Sequence, residues 1–472
     1  MSHNLYKPSS DTLLVSELDT EQPFTRLFEQ VQHLPYAMLF DTSGGDARFG
    51  RYNIMVWSPV VIVESKNGQT RVTVTATDEH TESTDAPLQV LDSVQRTAFA
   101  DIRIESTLPA ADIDALPFLI GCTGLAGYDL GRYYEVLPES AKDSYICPDM
   151  AVGLFEQSVI EDTLTGKRYF CRLNKAQSPD FAATESAKTE QTPFTLTSQW
   201  QSNLSKENYV TALNRIHEYL LAGDCYQVNM AQRFNATYQG DEWQAYRTLS
   251  EANKAPFSAF IRLPQSTIIS ISPERFLSVR NGQVETKPIK GTRPRFADEA
   301  QDKASAEALL NAEKDRSENL MIVDLLRNDL SKHCKPGTVE VPALFALESY
   351  EAVHHMVSTV TGELNDDASP LDLLAGAFPG GSITGAPKIR AMEIIDELEP
   401  DRRNVYCGSI FYLGFRQDMD SSILIRTLLA EQGNLYCWAG GGIVVDSQPD
   451  EEYQETLDKV SRILPTLERF IR

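Results

Sequence analysis

The stretch Phe276–Lys290, which reads FLSVRNGQVETKPIK, carries the clearest local fold signal in the chain. Residues 276–280 and 283–287 have the character of β-strands, and Asn281-Gly282 between them is the dipeptide most typical of a two-residue hairpin turn. Pairing of Arg280 with Gln283 across this turn would start an antiparallel ladder. The sequence therefore predicts a β-hairpin here.

The same ladder brings an acid and an amine together. It places Glu274 opposite Ile289 and brings Lys290 to the same end of the hairpin. Strict alternation would point the Glu274 carboxyl and the Lys290 amine to opposite faces. A turn of the chain at Pro288 or Gly291 is therefore required before both groups can reach one ligand.

Composition places the chain among ordinary globular proteins. Its 472 residues are 42% hydrophobic and 23% charged, and no run is long and apolar enough to span a bilayer. Residues 1–15 lack the features of a secretory signal, so we expect a cytoplasmic protein. The formal net charge of −24 would repel nucleic acid and anionic lipid, so we expect neither as a partner.

The seven cysteines are scattered, with no Cys-x-x-Cys pair, and predict neither a disulfide framework nor a zinc site. Cys225 lacks the surrounding glycines of a nucleophile elbow, and no His-x-Glu pair follows it to supply a base. We interpret Cys225 as a core cysteine. A dinucleotide-binding G-x-G-x-x-G motif after a strand is also absent from the sequence.

Residues 174–201, rich in Ser, Thr, Gln, Ala and Glu, have the composition of a solvated linker or of a poorly packed surface segment. It divides an N-terminal region, residues 1–175, from a C-terminal region, residues 200–472. After it, Ser205 is a candidate N-cap and Gly223 a candidate C-cap of a helix. Helices and strand-like runs are mixed rather than regularly alternating, which predicts an α+β fold in one intertwined body.

Three charged residues near the C-terminus share one helix face. Glu452, Glu455 and Lys459 recur at i, i+3 and i+7, a spacing that by itself favours a solvated surface. A second helix, predicted over residues 304–330, carries Glu318 on its apolar stripe, where an unpaired carboxylate would be costly to bury. Carboxylates from two helices, without cysteine or histidine nearby, are typical ligands of Mg²⁺.

Two glycine-rich segments could receive an anion on free backbone N–H groups. Residues 379–388 read PGGSITGAPK and lead into an amphipathic helix, with Pro387 suited to its first turn. They do not form a Walker A loop, because no Ser or Thr follows the lysine. Residues 439–442, AGGG, follow a strand-like run. Tight turns are an equally good interpretation of both segments.

Six ordered motifs together resemble those of the chorismate-utilising enzymes and, within that family, the aminodeoxychorismate synthases. The motifs are SPERF (272–276), PIKGT (288–292), ENLMIVD (318–324), GGSITGAPK (380–388), AGGGI (439–443) and EYQET (452–456). The resemblance implies a large antiparallel β-sandwich with helices packed outside, similar to anthranilate synthase component I. It also implies a site in a cleft between the sheets.

Two positions separate the branches of this family. Anthranilate synthases have alanine where this chain has Lys290, and the lysine is the signature of the aminodeoxychorismate synthases. Isochorismate and salicylate synthases, which activate water, place a base lysine in the strand that here reads CYQVN (225–229), and Gln227 takes that place. The resemblance therefore implies amination of chorismate rather than attack by water.

The mechanism implied by the resemblance uses one amine and one acid. Lys290, as the free amine, would attack C2 of chorismate while protonated Glu274 donates to the departing 4-hydroxyl; ammonia would then attack C4 and release the lysine. Both pKa values must shift, that of Lys290 downward through Lys287, Arg293 and Mg²⁺ nearby, and that of Glu274 upward through burial.

The resemblance also assigns the remaining site residues. Glu318 and Glu455 would bind Mg²⁺, with Glu452 contributing directly or through water, and the metal would neutralise one substrate carboxylate. The residues implied to contact the rest of chorismate are Thr292, His355, Tyr406, Arg426, Gly440, Gly441, Gly442 and Lys459.

A tryptophan pocket is implied in the N-terminal region, because related bacterial synthases hold tryptophan as a buried structural ligand. Feedback-inhibited anthranilate synthases carry a Leu-Leu-Glu-Ser signature where this chain reads MLFDTS (38–43), so feedback control is not expected. An ordinary core without a ligand is the alternative. The residues that match the pocket are Thr42, Ser43, Phe49, Gly50, Arg51, Tyr52, Pro256, Phe257 and Ser258.

Because the chain lacks a glutaminase constellation, the resemblance implies that ammonia comes from a separate glutamine amidotransferase subunit. A lyase would then convert the product to 4-aminobenzoate for folate synthesis. Two alternatives stay open. Anthranilate synthase component I shares the scaffold but eliminates pyruvate itself, and a catalytically silent subunit would only regulate an amidotransferase.

Overall fold

A computed structural model describes residues 6–8, 10–43, 50–174, 176, 181, 192–350 and 353–471. The N-terminal region contains these strands: β1 (Thr12–Glu17), β2 (Met38–Asp41), β3 (Tyr52–Val56), β4 (Val61–Lys66), β5 (Gln69–Val74), β6 (Glu79–Ser83), β7 (Arg103–Ser106), β8 (Gly121–Ala126), β9 (Met150–Phe155), β10 (Gln157–Asp162) and β11 (Arg168–Leu173). Its helices are α1 (Phe24–Glu29), α2 (Pro87–Ala98) and α3 (Ala110–Ala115).

The rest of the described chain, from residue 192 onward, mixes strands and helices without regular alternation. Its strands are β12 (Thr195–Leu196), β13 (Gln201–Ser202), β14 (Gln227–Gln239), β15 (Phe257–Arg262), β16 (Ser266–Ser272), β17 (Arg275–Arg280), β18 (Gln283–Thr286), β19 (Ile289–Pro294), β20 (Glu340–Ser349), β21 (Val353–Glu363), β22 (Gly385–Ala386), β23 (Ser409–Gly414), β24 (Met419–Ile423), β25 (Thr427–Glu431) and β26 (Asn434–Ile443). Its helices are α4 (Lys206–Ala222), α5 (Glu242–Asn253), α6 (Glu299–Leu310), α7 (Glu313–Ser331), α8 (Pro370–Ala377), α9 (Lys388–Leu398), α10 (Pro449–Val460) and α11 (Leu464–Glu468).

The described strands form two large sheets. The first has the order β12-β14-β26-β25-β16-β15-β2-β3-β10-β11-β1-β7, with β13 and β22 also paired to β14. The second has the order β19-β21-β18-β17-β24-β23-β8-β9-β4-β5-β6, with β20 paired to β21. Neighbouring strands are antiparallel except β1 and β7, which run parallel. The predicted α+β fold with a large antiparallel sandwich is therefore confirmed.

Strands from both regions of the chain share each sheet. In the first sheet β2 pairs with β15, with Phe40 opposite Ala259. In the second, β8 pairs with β23, with Gly124 opposite Phe411. The N-terminal region thus adds strands directly to the sheets that contain β17, β19 and β26. Most of the proposed linker lies outside the described residues, namely residues 175, 177–180 and 182–191.

The hydrophobic core fills the space between the sheets, and helices cover their outer faces. Tyr209, Leu213 and Ile216 of α4 are buried against the first sheet. This helix begins after Ser205, whose side chain accepts from the Asn208 N–H, and ends at Gly223, as predicted from its caps. Within the described residues, no helix has the length and apolar character needed to cross a membrane.

The helix expected over residues 304–330 is wrong as one element. It is two helices, α6 and α7, separated at Asn311 and Ala312. Asn311 ends α6 with a side-chain bond to the Glu307 carbonyl, and Ala312 adopts an extended conformation. Asparagine competes for backbone hydrogen bonds in this way and favours helix ends. The break redirects α7, which carries Glu318 and packs on β19 and β21.

Candidate active site

One cavity of about 650 Å³ between the two sheets collects the predicted catalytic, substrate-binding and metal-binding residues. Its wall includes all thirteen of them: Glu274, Lys290, Thr292, Glu318, His355, Tyr406, Arg426, Gly440, Gly441, Gly442, Glu452, Glu455 and Lys459. They come from both sheets and from α7 and α10, so the cavity is assembled by the tertiary fold rather than by any one segment.

Glu274 lies directly before β17, at the start of the predicted hairpin. The hairpin has the predicted register, with Arg280 opposite Gln283. The Ile289 N–H donates to the Glu274 carboxyl, so these two residues meet as the ladder predicted. Only 7% of Glu274 is exposed. Burial raises its pKa to about 7, against a smaller opposing effect of Lys290. The group can therefore hold a proton near neutral pH.

Lys290 reaches the same cavity because the chain turns at Gly291. Gly291 has φ +80°, and the β19–β21 register shifts between Ile289 and Thr292. This bulge re-aims the side chain that strict alternation would have pointed away. The Lys290 ammonium nitrogen lies 3.4 Å from the Ser382 carbonyl oxygen. The turn that the sequence required is therefore present, at the second of its two candidate positions.

The two cations expected to depress the pKa of Lys290 are both paired with carboxylates. Lys287 Nζ lies 2.5 Å from Glu348 Oε1 and is absent from the cavity wall. Arg293 lines the cavity but forms an ion pair with Asp315 at 3.2 Å. Neither side chain presents an uncompensated positive charge to Lys290. The expectation that Lys287 acts on Lys290 is not supported by this geometry.

The three glutamates expected to bind Mg²⁺ come from two helices. α7 supplies Glu318 and α10 supplies Glu452 and Glu455. A Cβ atom built on Gly441 would lie 3.3 Å from Glu452 Oε2 and 3.4 Å from Glu455 Oε1, so the two carboxylates converge on that glycine. Burial raises the pKa of Glu318. The face of α10 that carries Glu452, Glu455 and Lys459 therefore lines a cavity, although the spacing of these residues alone favoured a solvated surface.

Two lysines neutralise part of this acidic cluster. Lys314 Nζ lies 3.2 Å from Glu452 Oε1, and Lys459 Nζ lies 2.6 Å from Glu455 Oε1. Among the described residues, no three acidic, histidine or cysteine side chains are spaced to close a metal coordination sphere by themselves. Carboxylate oxygens from two helices still fit a hard cation that keeps several waters, which is how Mg²⁺ binds.

Other side chains give the cavity positive and hydrogen-bonding character. Arg426 is half-buried with backbone φ +53°, a conformation that non-glycine residues adopt at a cost and often at functional sites. Thr292 Oγ1 and His355 Nδ1 are 2.8 Å apart. Burial, then the nearby Arg426, lower the pKa of His355 to about 4, so this ring is neutral at physiological pH. Tyr406 is buried beside them in the wall.

The glycines of β26 are required by close packing. A Cβ atom on Gly440 would lie 2.4 Å from the Met230 carbonyl oxygen. On Gly442 it would lie 2.9 Å from Gln227 Nε2. β26 continues as a strand through these positions, so the segment is neither a tight turn nor a loop. The Lys459 ammonium donates to the Gly440 carbonyl at 2.7 Å, which ties α10 to this strand.

The other glycine-rich segment contributes a carbonyl group rather than a nest of N–H groups. Ser382 and Ile383 line the cavity, and the Ser382 carbonyl accepts from both Lys290 and Asn229. Lys388 points elsewhere and bonds to Asp329 at 2.8 Å. Pro387 immediately precedes α9, consistent with its expected place at the helix start.

Sequence reasoning gave no role to several residues of the wall. Asn229, Lys314 and Asp458 line the cavity, although none belonged to the predicted site. Lys314 and Asp458 lie four residues before Glu318 and three after Glu455, so helical spacing was the available signal. Asn229 could be placed only once β14 was paired with β26, opposite Gly442.

A second cavity, of about 330 Å³, lies where β2, β3 and β15 face β17, β23 and β24. Seven of the nine residues predicted to form a tryptophan pocket line it: Thr42, Gly50, Arg51, Tyr52, Pro256, Phe257 and Ser258. Ser43 is not in its wall, because its hydroxyl bonds to those of Ser258 and Ser250. Phe49 lies outside the described residues.

Comparisons with known proteins are consistent with this arrangement. A family profile described as chorismate binding enzyme matches residues 55–465. The chain is 50% identical over 462 residues to aminodeoxychorismate synthase component 1 of Escherichia coli (strain K12), covering 98% of this chain and 99% of that protein.

Anthranilate synthases are more distant in sequence but share the architecture. Anthranilate synthase component 1 of Aquifex aeolicus is 32% identical over 469 residues, covering 96% of this chain and 93% of the relative. The crystal structure of anthranilate synthase component I from Streptococcus pneumoniae TIGR4 superposes with a TM-score of 0.74 at 29% identity, covering 88% of this chain and 92% of that one.

Proposed function

The chain belongs to the chorismate-binding enzyme family, and on that premise we propose that it aminates chorismate at C4 to form 4-amino-4-deoxychorismate. The observation that carries the proposal is Lys290 in the same cavity as the buried acid Glu274. An amine there can form a covalent bond to the ring, and the relatives named aminodeoxychorismate synthase component 1 match the chain over nearly its full length.

In the first step Lys290, unprotonated, attacks C2 of chorismate. The ring double bonds shift and the C4–O bond breaks, while Glu274 gives its proton to the departing hydroxyl, which leaves as water. A pKa of about 7 suits a proton donor, because Glu274 can be protonated before the step and can regain a proton after it. Lys290 is then bound to the ring as a secondary ammonium.

In the second step ammonia attacks C4. The double bonds shift back, the bond from C2 to Lys290 breaks, and the lysine leaves as the neutral amine with which it began. The new ammonium on C4 returns one proton to Glu274. The balance is chorismate plus ammonia giving 4-amino-4-deoxychorismate plus water, and both side chains are restored.

Glu318, Glu455 and Glu452 would hold Mg²⁺, which supplies positive charge to neutralise a substrate carboxylate. Their placement in one cavity, with two carboxylates over Gly441, supports this assignment. Arg426, a half-buried cation in the same wall, suits a second carboxylate. These local charges explain how a chain of net charge −24 can bind a dianion.

We further propose that ammonia comes from a glutamine amidotransferase subunit and that the product enters folate synthesis through 4-aminobenzoate in the cytoplasm. The component 1 naming of the relatives supports a second component. We also propose that the second cavity holds L-tryptophan as a structural ligand, since its wall combines aromatic faces with the charged groups of Arg275 and Asp420.

Anthranilate synthesis is the second candidate function, because anthranilate synthases share the scaffold at 32% identity. A product assay separates the two. The purified protein is incubated with chorismate, Mg²⁺ and ammonium, and excess 4-amino-4-deoxychorismate lyase is added afterwards. Formation of 4-aminobenzoate only after the lyase supports our proposal. Anthranilate without lyase would refute it, and no turnover at high ammonium would favour a silent regulatory subunit.

A further inference from the structure

A buried ion pair lies directly behind one wall of the active-site cavity. Glu399 follows the last residue of α9, and Arg403 lies in the connection from α9 to β23. Arg403 is 2% exposed and Glu399 is 5% exposed. The guanidinium donates to both carboxylate oxygens, from Nε at 3.0 Å and from Nη2 at 2.7 Å. Neither side chain lines the cavity, so the pair does not contact the substrate itself.

The other N–H groups of Arg403 bind the backbone of two residues of the cavity wall. Nη1 donates to the Ile383 carbonyl at 3.0 Å, and Nη2 donates to the Asn229 carbonyl at 2.9 Å. Glu399 Oε1 accepts from the Ala231 N–H at 2.9 Å. Ile383 and Asn229 both line the cavity. The ion pair therefore connects β14 to the short helical turn that contains Ile383.

These bonds take the place of a neighbouring strand on one edge of β14. Among the described strands, β22 pairs with β14 as far as Val228, and β13 pairs with it from Phe234. Between these two contacts, the Asn229 carbonyl and the Ala231 N–H bond to the ion pair instead. Because buried backbone groups must find partners, the ion pair fixes where this part of β14 lies.

The guanidinium also contacts two tyrosine rings. Its carbon lies 4.9 Å from the ring centre of Tyr128 and 5.5 Å from that of Tyr406. Tyr406 stacks on Trp438, with ring centres 6.1 Å apart and planes 4° from parallel, and both of these rings line the cavity. The attraction between a cation and an aromatic face holds such a ring in place. Arg403 thus touches three separate parts of the wall.

One of these parts carries the carbonyl that the proposed nucleophile contacts. Ser382 precedes Ile383 in the same turn, and its carbonyl oxygen lies 3.4 Å from Lys290 Nζ. A shift of the Ile383 carbonyl would move that of Ser382 with it, because the two belong to consecutive planar peptide units. A displacement of about 1 Å at a reacting centre can cost roughly 100-fold in rate.

We propose that Arg403 and Glu399 are positioning residues of the active site, which set the location of Tyr406 and of the Ser382 carbonyl that Lys290 contacts. The inference rests on the proposed function, because it concerns the reaction of Lys290 with chorismate. Arginine is required here, since its planar fork of N–H groups binds a carboxylate and two carbonyls at once. Arg403→Lys would keep the charge opposite Glu399 but could not make all of these bonds.

Arg403→Lys tests the proposal through the covalent step. Chorismate and Mg²⁺ are added without ammonia, and the rate of adduct formation on Lys290 is measured by rapid quench and mass spectrometry, per mole of folded protein. We expect this rate at saturating chorismate to fall roughly 10- to 100-fold. The Mg²⁺ concentration for half-maximal rate should stay within about twofold, because the bonds of Arg403 go to elements other than α7 and α10.

Arg262→Lys is the matched control. The Arg262 side chain is 17% exposed and bonds to Asp241, Glu242 and the Gln32 carbonyl, and it does not line the active-site cavity. This variant is expected to lower Tm and to leave the adduct rate unchanged. Should Arg403→Lys not fold, Glu399→Gln, which keeps an oxygen for the Ala231 N–H and loses the charge that holds Arg403, is expected to lower the adduct rate severalfold.

Two results would overturn the positioning role. One is a wild-type adduct rate in folded Arg403→Lys or, failing that variant, in folded Glu399→Gln. The other is an equal loss of rate in Arg262→Lys, which would show that any weakened ion pair slows the reaction by loosening the fold. Either result, obtained with a wild-type protein that forms the adduct, leaves the proposed function intact. A wild-type protein that forms neither adduct nor aminated product refutes the proposed function itself.

Discussion

Replacing Glu274 by glutamine should stabilise the protein while removing its activity, and the stabilisation should depend on pH. The carboxyl is buried with a pKa of about 7, against an ordinary value of 4.5. Between these two values the unfolded chain has released the proton and the folded chain keeps it. The folded state therefore loses stability as the pH rises through this window.

The magnitude follows from the two pKa values. At about 1.36 kcal/mol per pKa unit, the difference corresponds to roughly 3 kcal/mol, fully expressed above pH 7. Glutamine cannot ionise and keeps an oxygen that accepts from the Ile289 N–H. We expect Glu274→Gln to raise the free energy of unfolding by up to about 3 kcal/mol at pH 8 and by less than about 1 kcal/mol at pH 5.

Urea denaturation at the two pH values measures this difference. Glu340→Gln, which changes an exposed glutamate on β20, is the control and should show no such pH dependence. In the same samples the rate of amination by Glu274→Gln should fall by roughly 10² to 10⁴-fold, as for loss of a general acid. A stability change that is the same at pH 5 and pH 8 would refute the claim that the native protein holds a buried, protonated acid here.

Glu318→Ala and Glu455→Ala should each raise the Mg²⁺ concentration needed for half-maximal activity, measured by titration, by roughly tenfold or more. Gly50→Ala, whose added methyl group would lie 2.8 Å from a threonine side chain in the wall of the second cavity, should lower the amount of L-tryptophan released on denaturation and detected by mass spectrometry. Arg403→Ala should cost about 3–5 kcal/mol of stability in urea denaturation, because it leaves the buried carboxylate of Glu399 without its 2.7 Å partner.

For each of these predictions, one result would contradict it. An unchanged Mg²⁺ requirement would return the two glutamates to a structural role, and Glu451→Ala, exposed on α10, gives the baseline. Wild-type protein that releases no tryptophan would leave the second cavity without the proposed ligand. A loss below about 1 kcal/mol for Arg403→Ala would mean that water compensates Glu399 in the folded protein.

Local signals predicted local structure well. The Asn281-Gly282 turn fixes the β17–β18 register without help from the rest of the chain, because the turn type selects its residues. The residues that cap α4, Ser205 and Gly223, were also predicted correctly from the sequence. The break between α6 and α7 was not predicted, because the apolar pattern continues across it. Asn311 was the available signal for this break.

Contacts between residues far apart in the chain could not be predicted from the sequence. Lys287 forms an ion pair with Glu348, 61 positions later in the sequence. The positive charge of Lys287, which was expected to act on Lys290, is therefore compensated by this glutamate. The hydrogen bond from Asn229 to the Ser382 carbonyl joins segments that the pairing of β22 with β14 brings together. The motifs identified the residues that meet in the cavity, but which charges stay uncompensated is decided by packing between distant segments.

The covalent bond to Lys290 is the central claim, and mass spectrometry of an acid-quenched reaction tests it most directly. Protein is mixed with chorismate and Mg²⁺ without ammonia, quenched, digested and searched for a chorismate-derived mass. We predict an adduct on the peptide that contains Lys290, retained in Lys287→Ala and absent in Lys290→Ala. An adduct that persists in Lys290→Ala, or an active wild-type protein that never shows one, would contradict the account.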